Sequence, residues 1–378
     1  MNVRRPQPAP PPAPEAVTPP GPVDWRLLTL FMVILSVGLV AVLSASDHQS
    51  QRLYGNAYHF FHRQLLSMAM GGVAVLFLCW VPRSVINRLH YWGIGIILIL
   101  LAATLAGPTI NGAKRWINLH FMMLQPMEFA RVALVLYLGY FFSSKQSMVK
   151  TFTRGLLPPI VITLSICLLL MLQPDLGGTI IMLALLFCMC LAGGTRGWYF
   201  AIMLAIAAIA VVVLIIVEPY RWARYTAYLE PFANAQGSGY QIVQSLLALG
   251  SGGIFGAGLG ASVQKTRYLP EPHNDFIMAV IGEETGFIGI LLIILLFALF
   301  LWRCYKVALG QKNLRDKLTA YGLTIVIALS FTLSMFVVFG LVPPKGIAMP
   351  FISYGGSSLL SNMICAGLLL HYSRTARE

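Results

Sequence analysis

Charge is what this sequence lacks most. Asp, Glu, Lys and Arg make up 10% of its 378 residues, against about 25% in a soluble domain. That excludes an ordinary water-soluble globule. Acids are the scarcest, 13 against 26 Lys and Arg, for a net charge of +13. Cysteine is sparse too. Cys79, Cys167, Cys188, Cys190, Cys304 and Cys365 all fall in or at the ends of apolar runs, none at metal-ligand spacing. They read as small packing residues rather than disulfides or ligands. Near the start there is no apolar stretch followed by a cleavage site, so residues 1–24, with nine prolines, are expected to be a disordered cytoplasmic tail and not a signal peptide. The glycine run Gly250–Gly260 has no GK[ST] and no βαβ context, which argues against a nucleotide site.

Apolar residues are abundant, at 58% of the chain, with a mean hydropathy of +0.77. Runs of about 20 apolar residues recur, each long enough to cross ~30 Å of hydrocarbon. The fold class expected is an all-α polytopic membrane protein. Ten spans are predicted over 27–46, 65–81, 91–108, 127–142, 156–172, 177–193, 198–217, 276–302, 319–340 and 355–372 of a single ten-helix domain, 25–378. Sixteen of the 26 Lys and Arg fall on the side of the termini, nine on the other, and Arg131 within a span. The positive-inside bias then places both termini in the cytoplasm, and topology rather than nucleic-acid binding accounts for the net charge. One long outer loop, 218–275, carries Trp222, Tyr225, Tyr228, Phe232, Tyr240 and Tyr268. Short amphipathic helices at the outer membrane surface are expected there.

Five segments carry the polar residues. In the glycine run, turns and a close backbone approach to a ligand, such as a phosphate nest, weigh about equally. In 111–134, Pro126 marks a helix start, with Glu128 in its first turn and Arg131 three residues on, on the same face. An arginine inside a span needs a partner or a watery cavity. Lys114, Arg115 and Trp116 precede that helix. By composition an interfacial belt accounts for them better than a binding role does. In LPEPHNDFIMAVIGEETGFIG, the prolines stop the loop and Asp275 stands at a helix start, where it could act simply as a cap. Ala279, Gly282, Gly286 and Gly289 then form a small-residue face. Glu283 and Glu284 lie too deep to face lipid together, which implies a polar interior with Arg131 as the candidate cation. The last two segments are turns, LQPDLGG with Asp175 and the Pro-rich 340–360 with Lys345.

Taken together, NGAKRWI, QPMEFARV, LQPDLGG, GYQIVQSLLALGSGGIFGAGLG, LPEPHNDFIMAVIGEETGFIG and PFISYGGSSLL resemble the SEDS family of polytopic peptidoglycan glycosyltransferases, in family order over residues 111–360. The lysine in PPKGIAMPFISYGG and the long tail resemble the division branch of that family more than its elongation branch. Arg131 stands where the family more often has lysine, and the two grip phosphate differently.

The resemblance implies a SEDS-type fold and polymerisation of lipid II during septal wall synthesis, at the inner membrane. It implies Asp275 as the general base, ionised in a watery, cation-flanked mouth. Lys114, Arg115, Arg131 and Lys345 would bind the pyrophosphate, and Trp116 would place sugar or lipid. Glu128, Asp175, Glu283 and Glu284 are assigned to structure. It further implies a class B penicillin-binding transpeptidase and other divisome membrane proteins as partners, and no nucleic acid. No cofactor is certain. A divalent cation, Mg or Mn, is compatible with the chemistry but has no dedicated ligand cluster in the sequence. The alternatives are a lipid II flippase, an elongation-type polymerase and a scaffold that recruits division proteins. A flippase needs polar groups along a path from the cytoplasm. Here six of the 13 acids lie between Glu218 and Glu284.

Overall fold

In a computed structural model, the described residues are 21–375 except 111, 120, 121, 218, 238 and 345. The expected tail, apart from its last four residues, and Lys345 therefore lie outside them. The helices run in order as α1 (Trp25–Tyr54), α2 (His59–Trp80), α3 (Arg83–Thr104), α4 (Pro126–Ser144), α5 (Leu157–Leu172), α6 (Leu176–Gly193), α7 (Gly197–Val217), α8 (Pro219–Leu229), α9 (Tyr240–Gly252), α10 (Gln264–Arg267), α11 (Ile277–Leu309), α12 (Leu314–Val338) and α13 (Gly356–Ser373). Between α3 and α4 a two-stranded hairpin pairs β1 (Ile117–Asn118) with β2 (Met123–Leu124), and a π-helical turn, Phe152–Leu156, leads into α5. A helix lies over each of the ten expected spans. Among the described residues seven are long and apolar enough to cross a membrane.

Local sequence sets several boundaries. The Asp24 carboxylate accepts from the amides of Arg26 and Leu27 at 3.0 and 3.2 Å, closing the exposed N-terminus of α1, and Gly55 ends that helix at φ 66°. Asn313 caps α12 in the same way, through Arg315 N at 2.9 Å. Burial varies strongly among the spans. In α12 56% of the most apolar window is buried, in α2 only 17%. α12 packs on α4, α6, α11 and α13, whereas α2 meets α1 and α13 at the bundle's flank. Val73, Leu76 and Phe77 of α2 are exposed. Such an apolar flank is a liability in water but the expected surface in lipid.

Both termini meet at one end. Gly21 N donates to Arg374 O at 2.8 Å, Asp24 N to Ser373 Oγ at 3.1 Å, and Arg303 pairs with Asp24 at 2.5 Å. The connections 105–125, 173–175, 230–276 and 339–355 gather at the other end, called outer below.

The long loop departs from the expectation of surface helices. α9 does not lie on the surface. It inserts against α11 and α12, burying Ile242, Val243, Ser245 and Ala248, and Ser245 Oγ donates to Val338 O at 2.8 Å. Tyr228 of α8 reaches the 341 carbonyl at 2.8 Å.

Candidate active site

α11 is not one continuous helix. Gly286 stands at φ 69°, ψ −167°, and breaks it into an outer and an inner half. The expected small-residue face therefore does not run through this point as one helical stripe. A break within a span leaves backbone groups without partners, which lipid cannot supply. The glycine run supplies them. Ala257 N and Gly258 N donate to the carbonyls of Glu283 and Glu284 at 2.9 and 3.0 Å, while Phe287 N and Ile288 N donate to Gly253 O and Ile254 O at 2.9 and 3.2 Å. The strands come so close that a Cβ on Gly252 would run into Gly282 O, on Gly256 into Glu284 O, and on Gly286 into the backbone of Ile254 and Gly256. These glycines permit backbone approach, as expected, but the approach is to α11.

The two glutamates diverge at the break. Glu283 accepts from Val263 N and Gln264 N at 3.0 and 3.2 Å and from Ser262 Oγ, closing the start of α10. Glu284 accepts from Ser44 Oγ at 2.7 Å and pairs with Lys265 Nζ at 3.0 Å. Lys265 also reaches Ser44 O at 2.7 Å and Asp47 at 3.6 Å, and is 5% exposed. The cation for Glu284 is therefore Lys265, while Glu283 is held by backbone amides and the Ser262 hydroxyl. The expected partner, Arg131, is engaged elsewhere. It is buried in α4, paired with Glu128 and donating to Ser330 Oγ of α12 at 2.6 Å. It is buried among α4 and α12, with its Nε lacking a hydrogen-bond partner among the described residues, and so lies inside the bundle rather than at an open mouth.

Asp275 sits just before the outer half of α11, on a turn built by LPEPHN. Phe276 holds the cap position and no side chain caps the helix, so Asp275 is spared a capping role. The turn is tightened by Asn274, whose amide N and Nδ2 bond to Glu271 O and Oε2 at 3.0 and 2.8 Å. His273 is buried against Phe60 and Tyr354, with ring centroids 4.4 and 5.3 Å away, and its carbonyl accepts from Tyr354 N at 2.9 Å. Burial lowers its pKa to about 4, so the ring is neutral. Asp275 is half-buried. Desolvation raises its carboxyl to about 7, and the neighbouring Glu271 charge adds to the rise. Of the cations expected to flank it, Lys345 lies outside the described residues, and Lys114 and Arg115 bond elsewhere. Among the described residues the charge acting on it is an anion.

The 340–355 connection closes over this turn. A Cβ on Gly346 would lie 3.3 Å from Asp275 Oδ2, and Gly346 directly follows Lys345. Farther along, Ser353 O accepts from Gln64 at 3.2 Å, and Ser357 Oγ donates to Met123 O at 2.9 Å while accepting from Gln125 N at 3.0 Å. The same segment thus ties α2, the hairpin region and the Asp275 turn together. From the hairpin region, Arg115 donates to the carbonyls of Gln173 (3.2 Å) and Pro174, and stands 3.8 Å from Asp175. Asp175 itself caps α6 through Gly178 N at 3.0 Å. Lys114 is exposed, bonded to Leu105 O at 3.2 Å, and Trp116 is half-buried. Neither Lys114 nor Arg115 forms a salt bridge with Asp275 among the described residues. No group of three or more His, Cys, Asp or Glu able to hold a metal ion occurs among the described residues. Lys265, Ser44, Ser262, His273 and Gly346 were missed in the sequence. For Lys265 the signal was available: two buried carboxylates require a cation, and few lie in the loop before them.

Residues 24–378 match the family described as "Cell cycle protein", FTSW_RODA_SPOVE. The chain is 41% identical over 362 residues to a Thioalkalivibrio sp. (strain K90mix) protein named "Probable peptidoglycan glycosyltransferase FtsW", covering 94% of this chain and 90% of that one. It is 39% identical to the stage V sporulation protein E of Bacillus subtilis, covering 94% and 98%. Among solved structures it superposes with a TM-score of 0.77, at 27% identity and 93% and 98% coverage, on a chain from "Structural coordination of polymerization and crosslinking by a peptidoglycan synthase complex". With the Thermus thermophilus rod shape determining protein RodA the TM-score is 0.71, at 26% identity and 97% and 100% coverage.

Proposed function

The chain belongs to the FtsW, RodA and SpoVE family of cell cycle proteins and is a multi-pass membrane peptidoglycan glycosyltransferase; from that premise we propose that it polymerises lipid II with Asp275 as general base. The observation that carries this is the half-buried Asp275 carboxyl, raised to about 7 at the mouth of the outer loops. A base works best with a pKa near the operating pH. In the reaction the acceptor's 4-hydroxyl gives its proton to Asp275 as its oxygen bonds to the donor's anomeric carbon. The bond from that carbon to pyrophosphate breaks on the opposite face. The electron pair leaves with the pyrophosphate, and the configuration inverts. A glycosidase needs a second carboxyl to protonate its leaving alkoxide. Pyrophosphate is already a good leaving group and needs cations instead. Lys345, next to the glycine that touches Asp275, and the exposed Lys114 suit that role, with Arg115 and Trp116 beside them. Arg131, committed to Glu128 and Ser330, does not.

The intramembrane carboxylates Glu128, Glu283 and Glu284 each face a protein partner, which favours polymerisation over a flippase path. The match to a chain of a peptidoglycan synthase complex supports a penicillin-binding transpeptidase partner, the charge bias supports cytoplasmic termini, and the likeness to a relative named FtsW supports a place in the division-site membrane. The test is glycan formation from lipid II by the purified chain with its transpeptidase partner. Asp275→Asn should lower the rate by about 10²-fold or more, and wild-type kcat/KM should fall below pH ~7 as the base protonates. Wild-type synthesis by Asp275→Asn would overturn the assignment.

A further inference from the structure

Beside the Asp275 turn lies a cavity of about 360 Å³. Its walls come from three places: Gln49 and Arg52 at the outer end of α1, Tyr240 at the start of α9, and Lys265, Tyr268 and Glu271 on the segment leading to Asp275. The volume is at the small end of the ~300–1,000 Å³ range of ligand clefts, with room for about one sugar unit. Glu271 belongs to both places. It walls the cavity, and its charge acts on the Asp275 carboxyl.

The charges of the lining decide which reactant fits. Lys265 is neutralised by Glu284 at 3.0 Å and Asp47 at 3.6 Å. That leaves Arg52, without an ion pair among the described residues, and Glu271, which meets only the Asn274 amide at 2.8 Å. Among the described residues, with His48 also in the wall, the unpaired charges are one cation and one anion, a poor seat for a pyrophosphate carrying several negative charges. Two tyrosine rings with a guanidinium and a carboxylate suit a ligand that has apolar faces and hydroxyl edges. Glu271 is also a non-glycine residue held at φ 48°, the kind of backbone strain found at ligand clamps.

We propose that this cavity is the acceptor subsite, seating a neutral N-acetylated sugar ring against Tyr240 and Tyr268, with Arg52 and Glu271 bonding its hydroxyls and the attacking hydroxyl presented to Asp275. This rests on the reading of Asp275 as the base. The donor's pyrophosphate then belongs outside this cavity.

The test is equilibrium binding of a radiolabelled N-acetylglucosamine dimer to the full chain in detergent. Wild type binds saturably. Tyr268→Ala and Arg52→Ala each weaken binding about tenfold or more, whereas Tyr268→Phe, which keeps the ring, binds as wild type. Inorganic pyrophosphate does not displace the sugar. Asp275→Asn binds the dimer within about twofold of wild type while losing polymerisation. The proposal is overturned if wild type shows no saturable binding, if both alanine variants bind like wild type, or if pyrophosphate competes, which would give the cavity to the donor. An active Asp275→Asn variant would instead refute the base and leave sugar binding to be judged on its own.

Discussion

Two buried ion pairs hold opposite kinds of structure in this protein. Glu128–Arg131 lies on one unbroken helix, three residues apart, and adds a single cross-link to Ser330 on α12. Glu284–Lys265 joins three segments, α1, α10 and the broken α11, where lipid-depth backbone has been opened. The first pair lets one charge sit quietly inside a helix. The second holds the outer half of α11 in place, and that half begins two residues after Asp275. A buried pair is weak evidence of net stability, yet removing one partner is costly. The same chemistry should therefore give similar losses of stability at the two sites but different losses of function.

The largest effect is expected where the glycine run splices into the break. Gly252→Ala puts a methyl into Gly282 O, backbone against backbone with no flexible side chain to yield. It should abolish the folded, monodisperse protein in detergent, or lower its melting temperature by many degrees. Gly250, two residues earlier on the same helix, faces open space. Gly250→Ala should be neutral or gain up to about 1 kcal/mol. Equal behaviour of the two variants in a thermal-shift measurement would mean that the splice is not what requires glycine.

Next in size, Lys265→Met and Arg131→Met each strand a buried carboxylate and should each cost about 3–5 kcal/mol, read as a drop in melting temperature. They should separate in the pH profile. Loosening the outer half of α11 hydrates Asp275, so in Lys265→Met the acidic limb of kcat/KM should move below pH ~7 toward the ordinary carboxylate range near 4. In Arg131→Met it should stay at about 7. A limb that moves equally in both would erase the functional distinction between the pairs.

The two pairs also mark what the sequence made legible. Span positions, the shared end of the termini and the outward clustering of acids follow from apolar length and charge counts, because each is a property of neighbouring residues. So does Glu128–Arg131, through i,i+3 spacing. Lys265 could not be assigned that way, since its three partners come from segments far apart in sequence. Gly286 was misread for a related reason. A glycine at helical spacing looks the same whether it packs a continuous helix or breaks one, and only the opposing glycines at 252 and 256 decide it. The Asp275 environment was only partly legible because the sequence counts cations in the outer loops without saying which of them face inward, and Arg115 spends its bonds on the 173–175 turn.

The smallest effects should come from the hydroxyls that accompany each pair. Ser44 Oγ donates to Glu284 at 2.7 Å, and Ser330 Oγ accepts from Arg131 at 2.6 Å. Either alanine variant deletes one hydrogen bond to a charged group, about 1.5–3 kcal/mol, while the salt bridge itself remains. Melting temperatures should therefore fall by similar small amounts. Ser44→Ala weakens the tie between α1 and the outer half of α11, so its acidic limb should move in the same direction as that of Lys265→Met, by a fraction of the distance. Ser330→Ala touches a helix pair with no path to the Asp275 turn and should leave the limb in place. A graded shift through Ser44→Ala to Lys265→Met would mean that the tie acts on Asp275 by holding its helix. A limb unmoved by Ser44→Ala but displaced by Lys265→Met would mean that Lys265 acts through its charge.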